Sequence, residues 1–317
     1  MIRIAADLGG ADRSQAQLSA GVLDAVSARE DLFVYACGDA SQLAPLLGGR
    51  ERIEIVDAPE VITNSEDPSE AFKAKKISSL VRGMQLCREN RDISGFVSCG
   101  PTGAIFVSAV MLLGRIGRIS PMLTVELTKP DGSSFCVVDC GANVDVRAEK
   151  LVDFARMGSA YMKAAGVAEP KIYLLSNGAE DKKGSASVKR ANELLRAEMP
   201  GFMGNTEGHS VLSGDADVIV CDGFSGNILL KTIEGAAKAV ISELRASGLS
   251  GEALDSVYRK YDYNTQGGAV LLGTGLPIVK GHGAATAETV RSIILTSYRL
   301  AKNGLNAKIA ESFSMHN

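Results

Sequence analysis

Residues 137–145, VVDCGANVD, and their echo at 218–227, VIVCDGFSGN, decide the fold. Each is a short apolar, β-branched run that ends in aspartate, turns through glycine and asparagine, and leads into a segment of helical character. A strand that hands over to a helix through such a turn is the repeating step of an open α/β sheet. Carboxylates, amides and free backbone N–H groups gather at these strand ends, where such sheets bind their ligands.

The same alternation extends in both directions. Strand-like runs at 2–6, 32–36, 53–56, 96–99, 135–139, 172–175 and 218–221 are separated by segments with apolar positions at three-and-four spacing, starting near Ser14, Ser69, Ala104, Ala148 and Ser187. This pattern predicts a mainly parallel, doubly wound sheet covered by helices on both faces. No Pro/Ser linker, low-complexity tract or internal repeat divides the chain, so residues 1–317 read as a single α/β domain. The texture changes after Asn227, where a long amphipathic helix and a shorter second one predict a projecting helical hairpin at about 228–262. A projecting apolar face is covered most simply by a second copy in a homodimer, and packing back onto its own domain is the other solution.

Composition narrows the function. With 45% hydrophobic residues in a chain of 317, a large buried core is attainable, and a formal charge of −3 gives no electrostatic reason to expect nucleic acid. The opening MIRIAAD reads directly as strand rather than as a signal peptide, and no apolar stretch is long enough to span a bilayer, so a cytoplasmic location is expected. The six cysteines are scattered without a CxxC pair, which predicts reduced core residues rather than zinc or redox chemistry. There is no Gly-x-Ser-x-Gly elbow and no His/carboxylate cluster with metal-ligand spacing, so neither a metal nor a serine nucleophile is expected.

What remains is a rim of turns suited to an anion. The first loop, DLGGAD (7–12), follows strand one and carries Asp7, Gly9 and Gly10; SCGPTGA (98–104) does the same after a later strand with Thr102 and Gly103. Small residues of this kind let backbone N–H groups approach phosphate or carboxylate at a helix N-terminus, and plain tight turns account for the same residues. Between them FKAKKISS (72–79) offers Lys73, Lys75 and Lys76; on a helix Lys73 and Lys76 would share a face as point charges for phosphate, or as an ordinary solvated face. NGAEDKKG (177–184) brings Lys183 and GNTEG (204–208) brings Asn205. In GGAVLLGTGLPIVKGHG (267–283) a strand-like hairpin ends in Lys280 and His282, a proton-transfer candidate near neutral pH or a structural histidine. A site of backbone donors, amides and lysines suits acyl or phosphoryl transfer.

The chain resembles the PlsX phosphate acyltransferases. The resemblance runs from IEIVDAPEVI (53–62) through KKISS (75–79), TGA (102–104), VVDCGANVD (137–145), MGSAY (157–161), GNTEG (204–208), VIVCDGFSGNILLKTIEG (218–235) and YDYNTQGGAVLLG (261–273) to KGHG (280–283). It implies a three-layer α/β sandwich of the isocitrate/isopropylmalate dehydrogenase type, commonly a homodimer with projecting helices. It also implies transfer of an acyl group from acyl carrier protein to inorganic phosphate, giving acyl phosphate for phospholipid synthesis, with no cofactor. Carrier protein and peripheral contact with the inner face of the membrane are the further partners it implies. On this reading Lys75, Lys76 and Lys183 hold phosphate or the oxyanion, His282 is a further catalytic candidate, and Asp7, Gly9, Gly10, Thr102, Gly103, Asn143, Asp145, Asn205, Asn227 and Lys280 bind or position substrate.

Two loops depart from the family pattern. The usual Asp-Ala-Met-Gly-Gly-Asp is here DLGGAD, and the usual Gly-Asn-Thr-Gly is Gly100-Pro101-Thr102-Gly103, which replaces an amide side chain by a residue without even a backbone donor. They leave open an acetyl phosphate-forming relative, like the PlsX-like subunit of the amino-acid reductases, in which Cys99 would be a low-pKa acyl carrier. They also leave open a catalytically inactive relative acting as a binding subunit.

Overall fold

The computed structural model describes residues 1–261 and 267–314. Contacts divide the chain into two compact units, Met1–Arg118 with Gly267–Asn306, and Ile119–Gln266 with Ala307–Asn317. The regular strand–helix rhythm crosses this border without a linker, which is why the sequence reads as a single domain.

In the first unit β1 (Ile2–Asp7), β2 (Leu32–Gly38), β3 (Ile53–Asp57) and β4 (Ile93–Ser98) are joined by β10 (Ala269–Leu272) and β11 (Ile278–Lys280) in the order β3-β2-β1-β4-β11-β10. All neighbours are parallel except the β10–β11 hairpin that the glycine-bounded run predicts. Helices α1 (Gln15–Ala28), α2 (Ala40–Leu47), α3 (Pro68–Ala74), α4 (Ser79–Glu89) and α5 (Thr102–Leu112) connect the strands, and α10 (Ala287–Lys302) packs on α1, β1 and β4. Ser14 and Gln17 close a capping box on α1, and Ser78 caps α4 by accepting from the Val81 amide, so these starts are set locally. The strands are apolar throughout because helices cover them: Ile4, Ala5, Ala6, Val34 and Phe96 have no accessible surface.

The order places β4 on the side of β1 opposite to β2 and β3. Chain direction therefore reverses between β1 and β4, and their carboxyl ends form the crevice where such sheets bind ligands.

The second unit contains β5 (Met122–Thr128), β6 (Ser134–Val138), β7 (Ile172–Leu175), β8 (Phe202–Thr206) and β9 (Val218–Val220), ordered β5-β6-β9-β7-β8. Strands β6, β9, β7 and β8 are parallel, whereas β5 runs antiparallel to β6. α6 (Ala148–Ala165) and α7 (Ala186–Glu198) make the crossovers, and α6 packs on β6, β9 and α7. The hairpin expected at 228–262 is the pair α8 (Gly223–Ala246) and α9 (Glu252–Tyr261), with α8 starting earlier than the sequence suggests because Asp222 caps it. Residues 262–266, part of the YDYNTQ stretch, lie outside the described residues. The last helix is α11 (Leu305–Ser314).

One local expectation is corrected. Lys73 and Lys76 do not share a helix face, because α3 ends at Ala74 and Lys75 adopts a non-helical φ of −104° and ψ of 70°. A separate helix then begins at Ser79, after Ser78 has turned its hydroxyl back to the Lys75 carbonyl at 2.8 Å.

Candidate active site

Asp7 closes β1 and is 4% exposed. Its carboxylate accepts the Gly9 amide at 3.0 Å and the Ser98 hydroxyl at 2.6 Å, which ties the ends of β1 and β4 together at the reversal point. Ser98 Oγ accepts in turn the Gly100 amide at 3.0 Å. Burial raises the Asp7 carboxyl above its ordinary value of 3.8, against the pull of the Ser79 and Ser98 hydroxyls and the Gly9 and Gly10 amides.

The two turns around this aspartate touch. A Cβ on Gly10 would come within 2.6 Å of the Gly100 Cα, so only glycine lets DLGGAD meet SCGPTG here. Just beyond, α5 begins at Thr102 with Pro101 at its cap and no side-chain hydrogen bond to its first amides. The orphan donors that every helix start presents are thus left uncapped at Thr102 and Gly103, under the positive end of the helix dipole. Pro101 removes an amide side chain relative to the family pattern and at the same time leaves these donors without a competing cap.

Lys280 ends β11 in register with Ser98 on β4. Its ammonium donates to the Gly281 carbonyl at 2.9 Å, and burial lowers its pKa, with a smaller opposing effect from Cys99. The following loop is anchored by the Gly281 amide on the Ser98 carbonyl at 2.9 Å and by the Asp12 amide on the Gly283 carbonyl at 2.8 Å. His282 in that loop is exposed, and its Nδ1 accepts the Ala284 amide at 3.1 Å. Asp7, Gly9, Gly10, Thr102, Gly103, Lys280 and His282 are therefore assembled around one group of strand ends.

The expected lysines are placed differently. Lys75 donates to the Val61 carbonyl at 2.6 Å and to Glu66 at 2.8 Å, and this contact, with the donors of Thr63, holds the Glu66 carboxyl down at about 2. Lys75 thus ties down the 61–66 loop. The Lys76 ammonium stands 3.9 Å from the Phe72 ring centroid, a cation–π contact.

In the second unit Asp139, fully buried after β6, accepts four bonds: from the Leu123 amide at 2.9 Å, the Ala142 amide at 3.2 Å, the Asn143 amide at 2.7 Å and the Asn143 side chain at 2.8 Å. Its carboxyl is raised by burial despite these donors. Asn143 also donates to the Pro121 carbonyl at 3.0 Å and its own carbonyl accepts the Gly223 amide at 2.8 Å, so the VVDCGANVD turn braces the start of α8. Gly226 lies so close to the Asp139 carbonyl that no side chain fits there. Asp145 is exposed, and Asn227 sits half-buried in the first turn of α8.

Asn205, 6% exposed, accepts from Asn192 at 2.9 Å and donates to the Glu180 carbonyl at 2.8 Å. It pins the 177–184 loop that carries Lys183, whose aliphatic stem covers Gly178. Lys183 itself is exposed.

Sequence reasoning passed over Ser98 and Asp139. An aspartate and a serine at the ends of adjacent predicted strands were a readable signal for Asp7 and Ser98; nothing in the sequence announced that Ser79 reaches the same carboxylate. Cys99 does not fit an acyl-carrying thiol, because burial pushes it up to about 12, with Asp7 adding to the rise. All six cysteines are buried and free.

A mainly parallel, doubly wound α/β sheet defines the class, and comparisons with known proteins agree on the fold. The family model described as "Fatty acid synthesis protein" matches residues 2–308. The phosphate acyltransferase of Lacticaseibacillus casei is 38% identical over 99% of this chain and 96% of its own, and that of Levilactobacillus brevis 39% identical over 92% and 90%. A phosphotransacetylase from Streptococcus pyogenes superposes with a TM-score of 0.63 at 17% identity, covering 95% of this chain and 94% of its own. 4-Hydroxythreonine-4-phosphate dehydrogenase from Klebsiella pneumoniae superposes at 0.60 with 12% identity over 95% and 100%, and both likenesses concern the fold. The chain belongs to the fatty acid synthesis protein family, that of the PlsX phosphate acyltransferases.

Proposed function

We propose that this enzyme moves an acyl group from a thioester on acyl carrier protein to inorganic phosphate, supplying acyl phosphate for phospholipid synthesis. A phosphate oxygen attacks the thioester carbonyl, a C–O bond forms, and the tetrahedral oxyanion collapses with cleavage of C–S. The products are acyl phosphate and the carrier thiol, and no covalent enzyme intermediate or cofactor is involved. The names of the relatives support the acyl-to-phosphate chemistry.

The observation that carries the reading is the crevice around Asp7. Uncapped amides at Thr102 and Gly103 and the ammonium of Lys280 are donors for phosphate oxygens. Lys280, its pKa lowered by burial, is also suited to return a proton to the departing sulfur. Asp7 sets the geometry of both turns. Lys183, on a loop pinned by Asn205, is a second cation for substrate, and His282 retains Nε2 for proton transfer.

No helix among the described residues is long and apolar enough to cross a membrane. A homodimer and a peripheral membrane contact belong to the same proposal, and Leu249, 56% exposed at the α8–α9 turn, is the apolar side chain such a contact would bury.

The test is thiol release from long-chain acyl carrier protein, with the acyl phosphate trapped by hydroxylamine and an acetyl thioester run in parallel. Release that requires phosphate and the long-chain donor is expected. Release from the acetyl donor alone would assign acetyl phosphate formation instead, and silence with both would leave a binding subunit.

A further inference from the structure

Asp7, Ser98 and Lys280 form one row across the sheet of the first unit. Asp7 is in register with Ser98 on β4 and Ser98 with Lys280 on β11, so the three side chains leave the sheet on the same face. An anion resting over Ser98, beside the uncapped amides of α5, therefore has the Lys280 position on one side and the Asp7 position on the other, each one strand spacing of about 4.8 Å away. The ammonium suits such a ligand, and the carboxylate opposes it. Among the described residues Asp7 forms no ion pair: its hydrogen bonds come from the Gly9 amide and the Ser98 hydroxyl, and the Ser79 hydroxyl and Gly10 amide that also act on it are neutral. A Cβ would stand 3.2 Å from Asp7 Oδ2 on Gly10 and 3.5 Å from it on Gly100, so both turns lay bare glycine backbone beside this oxygen. A buried carboxylate and a buried anion this close repel unless a proton lies between them, as in paired carboxylates.

We infer that Asp7 is the specificity-determining residue of the crevice: its carboxylate accepts the P–OH group of inorganic phosphate and turns away sulfate. The inference rests on the acyl-to-phosphate reading above and adds to it a direct contact with the substrate. Near neutral pH phosphate always carries at least one hydroxyl, whereas sulfate, a tetrahedral anion of nearly the same size, carries none. A site built to hydrogen-bond a hydroxyl rejects the analogue that lacks it far more strongly than a pocket that only measures size. Sulfate would enter with a proton placed on Asp7 instead, and burial, which raises this carboxyl, makes that the accessible route. The other groups around Asp7 that titrate or carry charge are the Cys37 and Cys99 thiols, both raised by burial, the Lys280 ammonium, lowered by it, His282 on the adjoining loop, and Arg82, which acts on Cys37. They meet phosphate and sulfate alike, so a comparison of the two anions isolates Asp7.

Calorimetric titration of the full chain with sodium phosphate, arsenate and sulfate is the test, run in two buffers of different ionisation enthalpy so that protons are counted. Just above neutral pH, arsenate, which keeps a hydroxyl, should bind within about threefold of phosphate. Sulfate should bind at least about a hundredfold more weakly and take up about one proton more than phosphate does. Acidification should strengthen sulfate by up to about tenfold per pH unit. In Asp7→Asn, whose amide brings its own N–H donors, sulfate should bind at least about tenfold more tightly than in wild type, and the proton uptake should vanish. The proton count is made on wild type, so it decides the matter even where Asp7→Asn does not fold. Sulfate that binds wild type like phosphate, with no additional proton, would overturn the inference and leave the transfer reading intact wherever thiol release still requires phosphate. Selective binding of phosphate with no thioester turned over would do the reverse and sink the transfer reading alone. Failure to bind either phosphate or arsenate would overturn both.

Discussion

Two aspartates, Asp7 and Asp139, each end a strand, are buried, and have carboxyls raised by desolvation, yet they do different work. Asp139 is saturated: four donors converge on it and its turn is braced against the start of α8. Asp7 takes its bonds from the two turns at the reversal point of the sheet and leaves the first amides of α5 and the Lys280 ammonium unused by it. A buried carboxylate whose surroundings are complete is architecture, and one whose surroundings hold spare donors is a site. The stretch that identifies the fold, VVDCGANVD, thus carries a self-contained hydrogen-bond network, whereas the plainer turns DLGGAD and SCGPTG are where the proposal places the anion.

Removing the saturated aspartate should have the largest effect. Asp139→Ala leaves the Leu123, Ala142 and Asn143 donors without their acceptor, and a loss of about 3 kcal/mol in stability is expected from denaturant unfolding. A loss below about 1 kcal/mol would erase the distinction between the two carboxylates. Next in size is Lys280→Met, which should lower kcat/KM about a hundredfold, the usual effect of deleting one preorganised oxyanion donor, while the melting temperature stays near wild type. Unchanged turnover would remove Lys280 from the crevice.

Asp7→Asn sharpens the comparison through pH. Because the folded carboxyl is raised, the folded state holds its proton more tightly than the unfolded chain. The stabilising contribution is complete below 3.8 and is lost as pH rises through the folded value. Stability measured against pH should therefore be flatter in the variant across the window that begins at 3.8, and parallel curves would contradict the raised carboxyl. Cys99→Ser should change turnover least, within about twofold, because the thiol is pushed up to about 12 and is not the nucleophile. Abolished turnover with an intact fold would restore the covalent alternative.

Much of the fold was legible because strand runs and helix periodicities alternate cleanly, and the glycine-bounded run at 267–283 announced the β10–β11 hairpin. Strand β5 was passed over although MLTVELT leads into Lys129-Pro130-Asp131-Gly132, a hairpin turn in which Gly132 has φ of 90°. The site was legible by location but not by role. Lys75 and Lys76 look like phosphate ligands in sequence, and only the tertiary structure shows the Lys75–Glu66 ion pair and the Lys76–Phe72 contact that such a role would have to accommodate. Asn205 likewise reads as a binding amide, and its two bonds to α7 and the 177–184 loop emerge only in three dimensions.

Amide hydrogen exchange with and without inorganic phosphate tests the central contrast most directly. Phosphate should protect backbone amides at 7–12 and 98–104, the loops around Asp7, and leave 139–145 unchanged. Protection at 139–145 with none around Asp7 would contradict the assignment of the anion site.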